Sequence, residues 1–407
     1  MTEPSEPLNT PTVARPDRLA IRQSIGYFAI FIGLGMTAAS LGPTLQGLAD
    51  HTHSTISQVS ILFTSRSFGY LLGSLRGGRA YDRLPGHRLL VGVLLVMAVM
   101  NAIVPIVNLL WLLAATLFIL GLAEGAADVG GNTLLVWTHH ERVGPYMNTL
   151  HFFFGLGAFI VPILIAQTVL ATHDIKMAYW LLALYMLPVA IYFIRLPSPR
   201  PITAAQSLQV GPINLKLVAL IVAFYFLYVG AEASYGGWIY TYATSLDLAD
   251  AETAAYLTSI LWGTFTVGRL VAIPLATRYK PQTLLTWDLI GCVASLILIL
   301  AYPDSLLILG LGTAGLGFSM ASIFPGMMVY AQRRLTLTGR VTSWFFVGVG
   351  AGAMVVPWLI GQWFETFGPR VTMWVIFVDV VLVVTTFIAI RWVKNGSSAN
   401  PVQKIAV

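Results

Sequence analysis

The sequence contains a single cysteine, Cys292, and lacks the short motifs that mark many enzymes. One thiol forms neither an intramolecular disulfide nor a thiolate metal cluster. The patterns HExxH, GxSxG and GxxxxGK[ST], typical of a zinc protease, a serine hydrolase and a phosphate-binding loop, do not occur. We therefore expect a protein that is not an enzyme and that binds no metal and no cofactor.

Charged residues are also scarce. They make up 10% of the chain, against 57% hydrophobic residues and a mean hydropathy of +0.78, whereas a soluble domain has about 25% charged residues. A bilayer core is crossed by about 20 apolar residues in a helix, and the sequence offers twelve such stretches. They lie near 20–46, 54–77, 87–107, 109–137, 145–171, 176–195, 213–245, 252–277, 281–302, 305–331, 340–363 and 370–391. We predict an all-α integral membrane protein with twelve transmembrane helices.

Lysine and arginine collect in alternate connections between the spans. If the N-terminus is inside, nineteen basic residues lie in inner segments and only Lys176 and Arg370 lie outside. Because cytoplasmic loops are enriched in Lys and Arg, we expect both termini in the cytoplasm and the chain in the plasma (inner) membrane. The same scattered residues explain the net charge of +6 without a nucleic-acid partner. The expected partners are the lipid bilayer and a small-molecule solute, and the expected state is a monomer.

The sequence pattern of one apolar helix occurs twice in the chain. The stretch FIVPILIAQ (159–167) returns as MVVPWLIGQ (354–362), 195 positions later, and glycines on either side keep the same offset. Six spans repeated in parallel orientation form two bundles that rock about a site at mid-membrane. We predict a tail at 1–19, an N-terminal bundle at 20–195, a linker at 196–212, a C-terminal bundle at 213–391 and a tail at 392–407.

The loop after span 2 reads GRAYDRLPGHR. It resembles the loop 2–3 signature of the major facilitator superfamily, with one extra residue at Leu84-Pro85, and twelve spans with a central break agree with that family. The resemblance implies two pseudo-symmetric six-helix bundles and transport by alternating access. It also implies a gating role at the cytoplasmic ends of helices for Gly78, Asp82, Arg83 and Arg88.

Seven ionisable residues lie within the predicted spans: Arg66, Glu124, Asp128, Glu232, Arg269, Asp288 and Asp379. Each costs about 2.5–3.5 kcal/mol at the bilayer centre and so calls for a partner, a wet cavity or a function. Matched depth predicts two buried ion pairs, Arg66 with Glu124 and Arg269 with Asp288. Asp379, on the last span, receives no assignment.

Asp128 and Glu232 remain without an obvious cation. A carboxyl group in an apolar setting takes up a proton more readily than in water, and its oxygens are also hard ligands for Na⁺. We therefore expect one or both acids to couple transport to H⁺ or Na⁺. A structural acid held by hydrogen bonds is the alternative.

Polar and aromatic side chains near these acids are the candidate solute contacts. Flat aromatic faces beside hydrogen-bonding groups suit a sugar ring, although packing between helices explains His151 equally well. The candidates are Asn132, Asn148, His151, Tyr228, Tyr235, Trp238, Trp262 and Trp344.

A narrower resemblance concerns the two acids. The acid of span 4 followed four residues later by Asn is similar to the fucose permease pattern, and YVGAEASYGGWIYTYA in span 7 looks like the sodium-dependent glucose transporter 1 branch of the same symporter group. The resemblance implies cation-coupled symport of a sugar. The span 1 acid of fucose permease is missing, however, and abundant Met and Phe leave open a proton-coupled exporter of amphipathic compounds.

Overall fold

The computed structural model describes residues 18–200, 214–335 and 339–393. The predicted tails at 1–19 and 392–407 and the linker at 196–212 lie largely outside the described residues. The described chain is helical throughout its spans. Its helices are α1 (Arg18–His51), α2 (Ile56–Val59), α3 (Ile61–Tyr81), α4 (Gly86–Ile103), α5 (Leu110–His139), α6 (Val143–Thr172), α7 (Lys176–Ile194), α8 (Leu215–Ser245), α9 (Ala251–Arg278), α10 (Pro281–Ala301), α11 (Leu306–Met320), α12 (Ile323–Gln332), α13 (Gly339–Phe367) and α14 (Val371–Trp392).

The twelve predicted spans are confirmed, with two differences in detail. Span 2 is preceded by the one-turn helix α2, and span 10 is broken into α11 and α12 at Ala321-Ser322, just before Pro325. Eleven spans are apolar enough by composition to cross a membrane. The remaining one, α3, is long enough at 21 residues but carries three arginines, which the rest of the structure has to accommodate.

The spans alternate in direction, which gives the bundle two ends. We call the end where α1 begins and α14 ends the termini face, and the other end the distal face. Helices α1–α7 pack together as one six-span bundle and α8–α14 as the other. The bundles meet where α6 contacts α9, α13 contacts α3, and α1 contacts α8.

The internal repeat has a structural meaning in these contacts. A Cβ added to Gly157 would overlap the carbonyl oxygen of Ile32 on α1, and one added to its repeat partner Gly352 would overlap that of Phe226 on α8. Small residues at such positions let two helix backbones approach closely inside a membrane. Gly157 and Gly352 therefore allow the same close contact, between the first and fifth spans, in each bundle.

Helices α3 and α5 make the closest approach within the N-terminal bundle. A Cβ on Gly69 would overlap the carbonyl oxygen of Phe118, and one on Gly121 would overlap that of Arg66. Because the two backbones lie this close together, side chains of α3 meet those of α5 directly. This contact places the polar groups described below.

The Arg66–Glu124 ion pair lies in that contact, as predicted. Arg66 Nε donates to Glu124 Oε2 at 2.9 Å and its Nη2 to Oε1 at 2.6 Å. Two further guanidinium hydrogens reach the carbonyl oxygens of Thr37 at 2.9 Å and Ala38 at 3.1 Å on α1. The bidentate pair is buried, and it ties three helices of the bundle together.

We predict that Gly69→Ala lowers the stability of the solubilised protein by about 1–3 kcal/mol or more, because the added methyl has no room against the Phe118 carbonyl. Gly92→Ala is the matched control, since nothing lies within 4 Å of a Cβ at that position. The check is the thermal midpoint measured by size-exclusion chromatography after heating. Equal midpoints for the two variants would contradict the close approach of α3 and α5.

We also predict that Glu124→Gln destabilises the protein by about 3–5 kcal/mol, because it leaves the buried Arg66 cation without its anion. The double variant Arg66→Met/Glu124→Met removes both charges and should recover part of that loss. Thermal midpoints of Arg66→Met, Glu124→Met and the double variant close the cycle. If the losses of the single variants simply added, the two side chains would not act as a pair.

Candidate functional site

Asp128 lies in the middle part of α5, one helical turn after Glu124. Tyr70, on α3 one turn after Arg66, donates its hydroxyl hydrogen to Asp128 Oδ2 at 2.5 Å. Asn132 Nδ2 donates to Asp128 Oδ1 at 3.0 Å and to the Asp128 carbonyl at 2.9 Å. Among the described residues, no cation lies within ion-pair distance of this carboxylate. Asp128 is half-buried, and the donors that hold its carboxylate are neutral.

Tyr70 is not among the site residues predicted from the sequence, although its spacing from Arg66 contains a signal. It follows Arg66 by four residues, as Asp128 follows Glu124 by four. Residues four apart share a helix face, so the register that pairs the first two residues also pairs the second two. Asn132, which was predicted, continues the same face of α5 by one more turn.

Glu232 lies on α8 in the C-terminal bundle and is half-buried. Tyr228, one turn earlier, lies beside this carboxyl, but its hydroxyl donates to the carbonyl oxygen of Met320 at 2.8 Å. Arg269 on α9 is close enough for its charge to act on Glu232, without forming an ion pair within 4.0 Å. Glu232 thus has a cation nearby, whereas the sequence indicated none.

The predicted Arg269–Asp288 pair is wrong. No ion pair joins them in the described ranges; instead the Ser322 hydroxyl, at the break between α11 and α12, donates to Asp288 Oδ2. Arg269 turns toward the interior, where its guanidinium lies 4.5 Å from the Phe265 ring centroid. Matched depth on neighbouring spans does not fix the side of the helix from which a side chain projects.

Two buried donors on α9 have no acceptor in the described structure. They are Trp262 Nε1 and Arg269 Nε, and their seven-residue spacing puts them on one face of the helix. Thr266, between them on that face, fills the space beside Gly155 of the N-terminal bundle. Arg269 also acts electrostatically on His151 of α6. This face of α9 therefore looks onto the boundary between the bundles.

Tyr228, Tyr235 and Trp238 pack between helices, which corrects the expectation that they contact solute. All three are at most 2% exposed. The Tyr235 hydroxyl is 2.7 Å from Thr313 Oγ1, and Trp238 Nε1 donates to the carbonyl oxygen of Pro357 at 3.0 Å. Their polar atoms are therefore already satisfied by residues of α11 and α13.

The remaining candidates lie apart from these groups. Asn148 and Trp344 are exposed in the half of the bundle near the termini face, and neither makes a side-chain hydrogen bond or ring contact with a described residue. Gly78 and the exposed residues Asp82, Arg83 and Arg88 lie at the termini face itself. No side-chain hydrogen bond or ion pair joins those loop residues to the described chain.

Asp379 on α14 is 6% exposed, and its Oδ2 atom has no partner among the described residues. That oxygen points toward Gly230 on α8, where it would lie 3.3 Å from an added Cβ. Asp379 therefore lies between α14 and α8, inside the C-terminal bundle. The structure gives it no contact with the groups above.

The bundles are joined near the distal face by two related sets of hydrogen bonds. Gln167 Nε2 on α6 donates to Glu252 Oε1 at 3.1 Å and to the Tyr256 hydroxyl at 2.8 Å, both on α9. Its repeat partner Gln362 on α13 donates to the Ser57 carbonyl at 3.1 Å and accepts from the Ser57 hydroxyl at 3.3 Å. We call these two sets the glutamine latches.

Further side-chain hydrogen bonds between described residues of the two bundles lie in the middle part. Below the latches, Ser259 Oγ donates to the Phe159 carbonyl at 3.0 Å and Thr64 Oγ1 to the Met354 carbonyl at 3.0 Å. The sequence repeat contained Gln167 and Gln362, but their partners come from the other bundle. Only the assembled fold reveals that the repeat closes one face.

Comparison with known proteins agrees with this architecture. A family model described as "Major Facilitator Superfamily" matches residues 24–357. The nucleoside transporter NupG superposes with a TM-score of 0.72 at 14% identity, covering 93% of this chain and 100% of NupG. At that identity, the likeness concerns the fold alone.

Curated relatives are more similar in sequence. Sodium-dependent glucose transporter 1 of Xenopus laevis is 33% identical over 80% of this chain and 72% of its own length. The protein of the same name from Homo sapiens is 30% identical over 82% and 72%. Major facilitator superfamily domain-containing protein 4A of Mus musculus is 26% identical over 86% and 88%. With two six-helix bundles and a family match across most of its length, the chain is a multi-pass membrane transporter that belongs to the major facilitator superfamily.

Proposed function

We propose that this chain is a cation-coupled symporter that moves a sugar or a similar small polar solute by alternating access. The observation that carries the proposal is the setting of Asp128. Its carboxylate lies near mid-membrane, bound by the hydroxyl of Tyr70 and the amide of Asn132 and by no permanent cation of the described chain. A charge placed there costs free energy unless H⁺ or Na⁺ neutralises it, so binding of a cation is favoured.

The second acid is placed differently. Glu232 has the guanidinium of Arg269 nearby, and that cation keeps one donor atom, Nε, unpartnered. We infer that Arg269 stabilises Glu232 when no coupling ion is present, and that Asp128 is the primary site of the coupling ion. Asp128 and Glu232 both remain coupling candidates under this proposal.

Support for a polar solute comes from donors that lack acceptors. Buried polar atoms in proteins are nearly always hydrogen-bonded, and Trp262 Nε1 and Arg269 Nε are buried without partners in the described structure. Hydroxyl oxygens of a sugar are suitable acceptors, and His151 and Asn132 add groups from the other bundle. The names of the glucose-transporter relatives agree with a sugar and with Na⁺ as the ion. Asn148 and Trp344, which lie nearer the termini face, would line the path along which the solute reaches this site.

Alternating access is supported by where the bundles touch. The glutamine latches hold the distal face together, while the side chains of Asp82, Arg83 and Arg88 at the termini face make no hydrogen bond or ion pair with the described part of the chain. We propose that closing the termini face gives these loop residues partners at helix ends and breaks the latches. In the cell, the termini face would be cytoplasmic, in the plasma membrane, and the transporting unit would be a monomer with bundle limits near 20–195 and 213–391.

We predict that Asp128→Asn abolishes gradient-driven accumulation of glucose in proteoliposomes while exchange across the membrane persists, because the amide cannot bind the ion but preserves the fold. Glu232→Gln should reduce accumulation in the same way. Asp288→Asn is the matched control, since that acid is held by Ser322 away from the boundary between the bundles, and it should accumulate solute normally. Separate Na⁺ and H⁺ gradients identify the ion.

Normal accumulation in both Asp128→Asn and Glu232→Gln would contradict coupling through these acids. Proton-driven efflux of amphipathic dyes, with no ion-dependent sugar uptake, would instead support the exporter hypothesis. These two outcomes differ in the direction of transport as well as in the solute.

We further predict that Gln167→Ala/Gln362→Ala shifts the protein toward opening at the distal face. Each lost hydrogen bond is worth about 0.5–1.5 kcal/mol, so losing both latches changes the ratio of the two states about tenfold or more. The measurement is labelling of Thr64→Cys by an impermeant maleimide from the distal side. Because Cys292 is buried, the introduced thiol is the reactive one.

Gln46→Ala is the control for this experiment. Gln46 is exposed near the same face but bonds only to Asp50 in its own helix, at 3.2 Å. Its replacement should leave the labelling rate unchanged. Equal labelling rates of Thr64→Cys with and without the two glutamine substitutions would rule out the latches as determinants of closure.

A further inference from the structure

A cavity of about 350 Å³ lies at the termini face, on the outside of the C-terminal bundle. It is formed where the start of α10 meets the ends of α12 and α14, away from Asp128 and Glu232. Its lining contains three arginines and no acidic residue. The lining residues are Pro281, Gln282, Tyr330, Arg333, Arg334, Arg391 and Val393.

The three arginines play different parts. Arg334 is fixed in place: its Nη1 donates to the Ile390 carbonyl at 2.5 Å, and its Nη2 donates to the Val393 carbonyl. Arg333 and Arg391 are exposed, and neither makes a side-chain hydrogen bond or ion pair with any other residue in the described ranges. Arg334 therefore builds the wall, while Arg333 and Arg391 present their guanidinium groups to the cavity.

The segments that form the cavity contain no acid to balance them. The sequence has no Asp or Glu between Glu252 and Asp288, between Asp304 and Glu365, or after Asp379, and these stretches include all three segments that form the cavity. The C-terminal ends of α12 and α14 each offset about half a charge, and the N-terminal end of α10 adds about half a charge. About two and a half positive charges are left uncompensated.

The start of α10 adds a hydrogen-bond donor. Its N-cap residue, Lys280, makes no side-chain cap, and Pro281 occupies the first turn. The first backbone N–H groups of a helix have no partner within the helix and favour an anion. Pro281 has no N–H, and the Thr283 N–H already donates to the Lys280 carbonyl at 2.9 Å, so the donor left in this turn is the N–H of Gln282, which lines the cavity. An anion in the cavity would also meet two guanidinium groups, which bind phosphate oxygens in a bidentate manner.

Aromatic side chains place the cavity at the height of lipid headgroups. Trp392, next to Arg391, is 84% exposed, and Trp287 on α10 is 49% exposed and packs edge-on against Tyr279 with ring centroids 4.8 Å apart. Tryptophan and tyrosine are enriched where a membrane protein crosses the bilayer–water boundary. Basic pockets between transmembrane helices at this level bind anionic headgroups.

We propose that this cavity binds the phosphate group of an anionic phospholipid, held chiefly by Arg333 and Arg391. The site is separate from the solute pathway, and the proposal does not depend on which solute or ion is transported. Phosphate in solution shares the same chemistry, so the test has to distinguish the two sources.

The test is a thermal-stability titration of the delipidated full chain with phosphatidylglycerol, phosphatidylcholine or inorganic phosphate. A ligand of the folded state raises the thermal midpoint. We expect phosphatidylglycerol to raise it well below the concentration at which phosphatidylcholine acts. Arg333→Gln/Arg391→Gln should need at least about tenfold more phosphatidylglycerol for the same rise, since each charge-assisted bond lost weakens binding. Native mass spectrometry counts the bound lipid.

Lys216→Gln is the matched control, because Lys216 is an exposed base on the same face that does not line the cavity. It should respond to phosphatidylglycerol as the unaltered chain does. An equal response of the double variant would overturn the proposal, as would the lack of any preference for the anionic lipid. A rise with inorganic phosphate alone would assign the cavity to a soluble phosphate compound, which also overturns the lipid. The two single variants provide a check should the double variant fold poorly.

Discussion

The close approach of α3 and α5 is the constraint on which the N-terminal half of the site depends. Glycines on both helices bring one backbone against carbonyl oxygens of the other, and this leaves no room for side chains except at fixed heights. The Arg66–Glu124 pair occupies one height and the Tyr70–Asp128 hydrogen bond the next, one turn away. Because the ion pair fixes the register, it also determines which donor reaches Asp128. A structural interaction therefore positions the candidate coupling acid.

The two bundles use the same positions for the same purposes, although their chemistry differs. Gly157 and Gly352 each support a contact within their own bundle, whereas Gln167 and Gln362 each reach across to the other. Duplicated positions of this kind produce a closure with approximate two-fold symmetry. Under the proposed alternating access, opening the distal face would break both sets of contacts together, as in rigid-body rocking of two repeats.

The acids do not follow this symmetry. Asp128 is bound by neutral donors in one bundle, and Glu232 lies near the cation of Arg269 in the other. An acid with neutral partners gains most from an added cation, whereas an acid beside a guanidinium already has one. Under the proposed function, this asymmetry makes Asp128 the primary candidate for ion binding, and Trp262 and Arg269 of the C-terminal bundle keep donors without acceptors in the described structure.

The sequence by itself determined the number of spans, their alternation and the existence of a repeat, because these follow from lengths of apolar chain and from spacing. It also predicted the Arg66–Glu124 pair, since depth and adjacency sufficed there. It failed for Arg269 with Asp288, and it placed Tyr235 and Trp238 at a solute when they pack between helices. Depth along a span can be counted from its ends, but the direction in which a side chain points depends on which helices surround it. That direction was decided only by the tertiary structure, because it results from packing among distant parts of the chain.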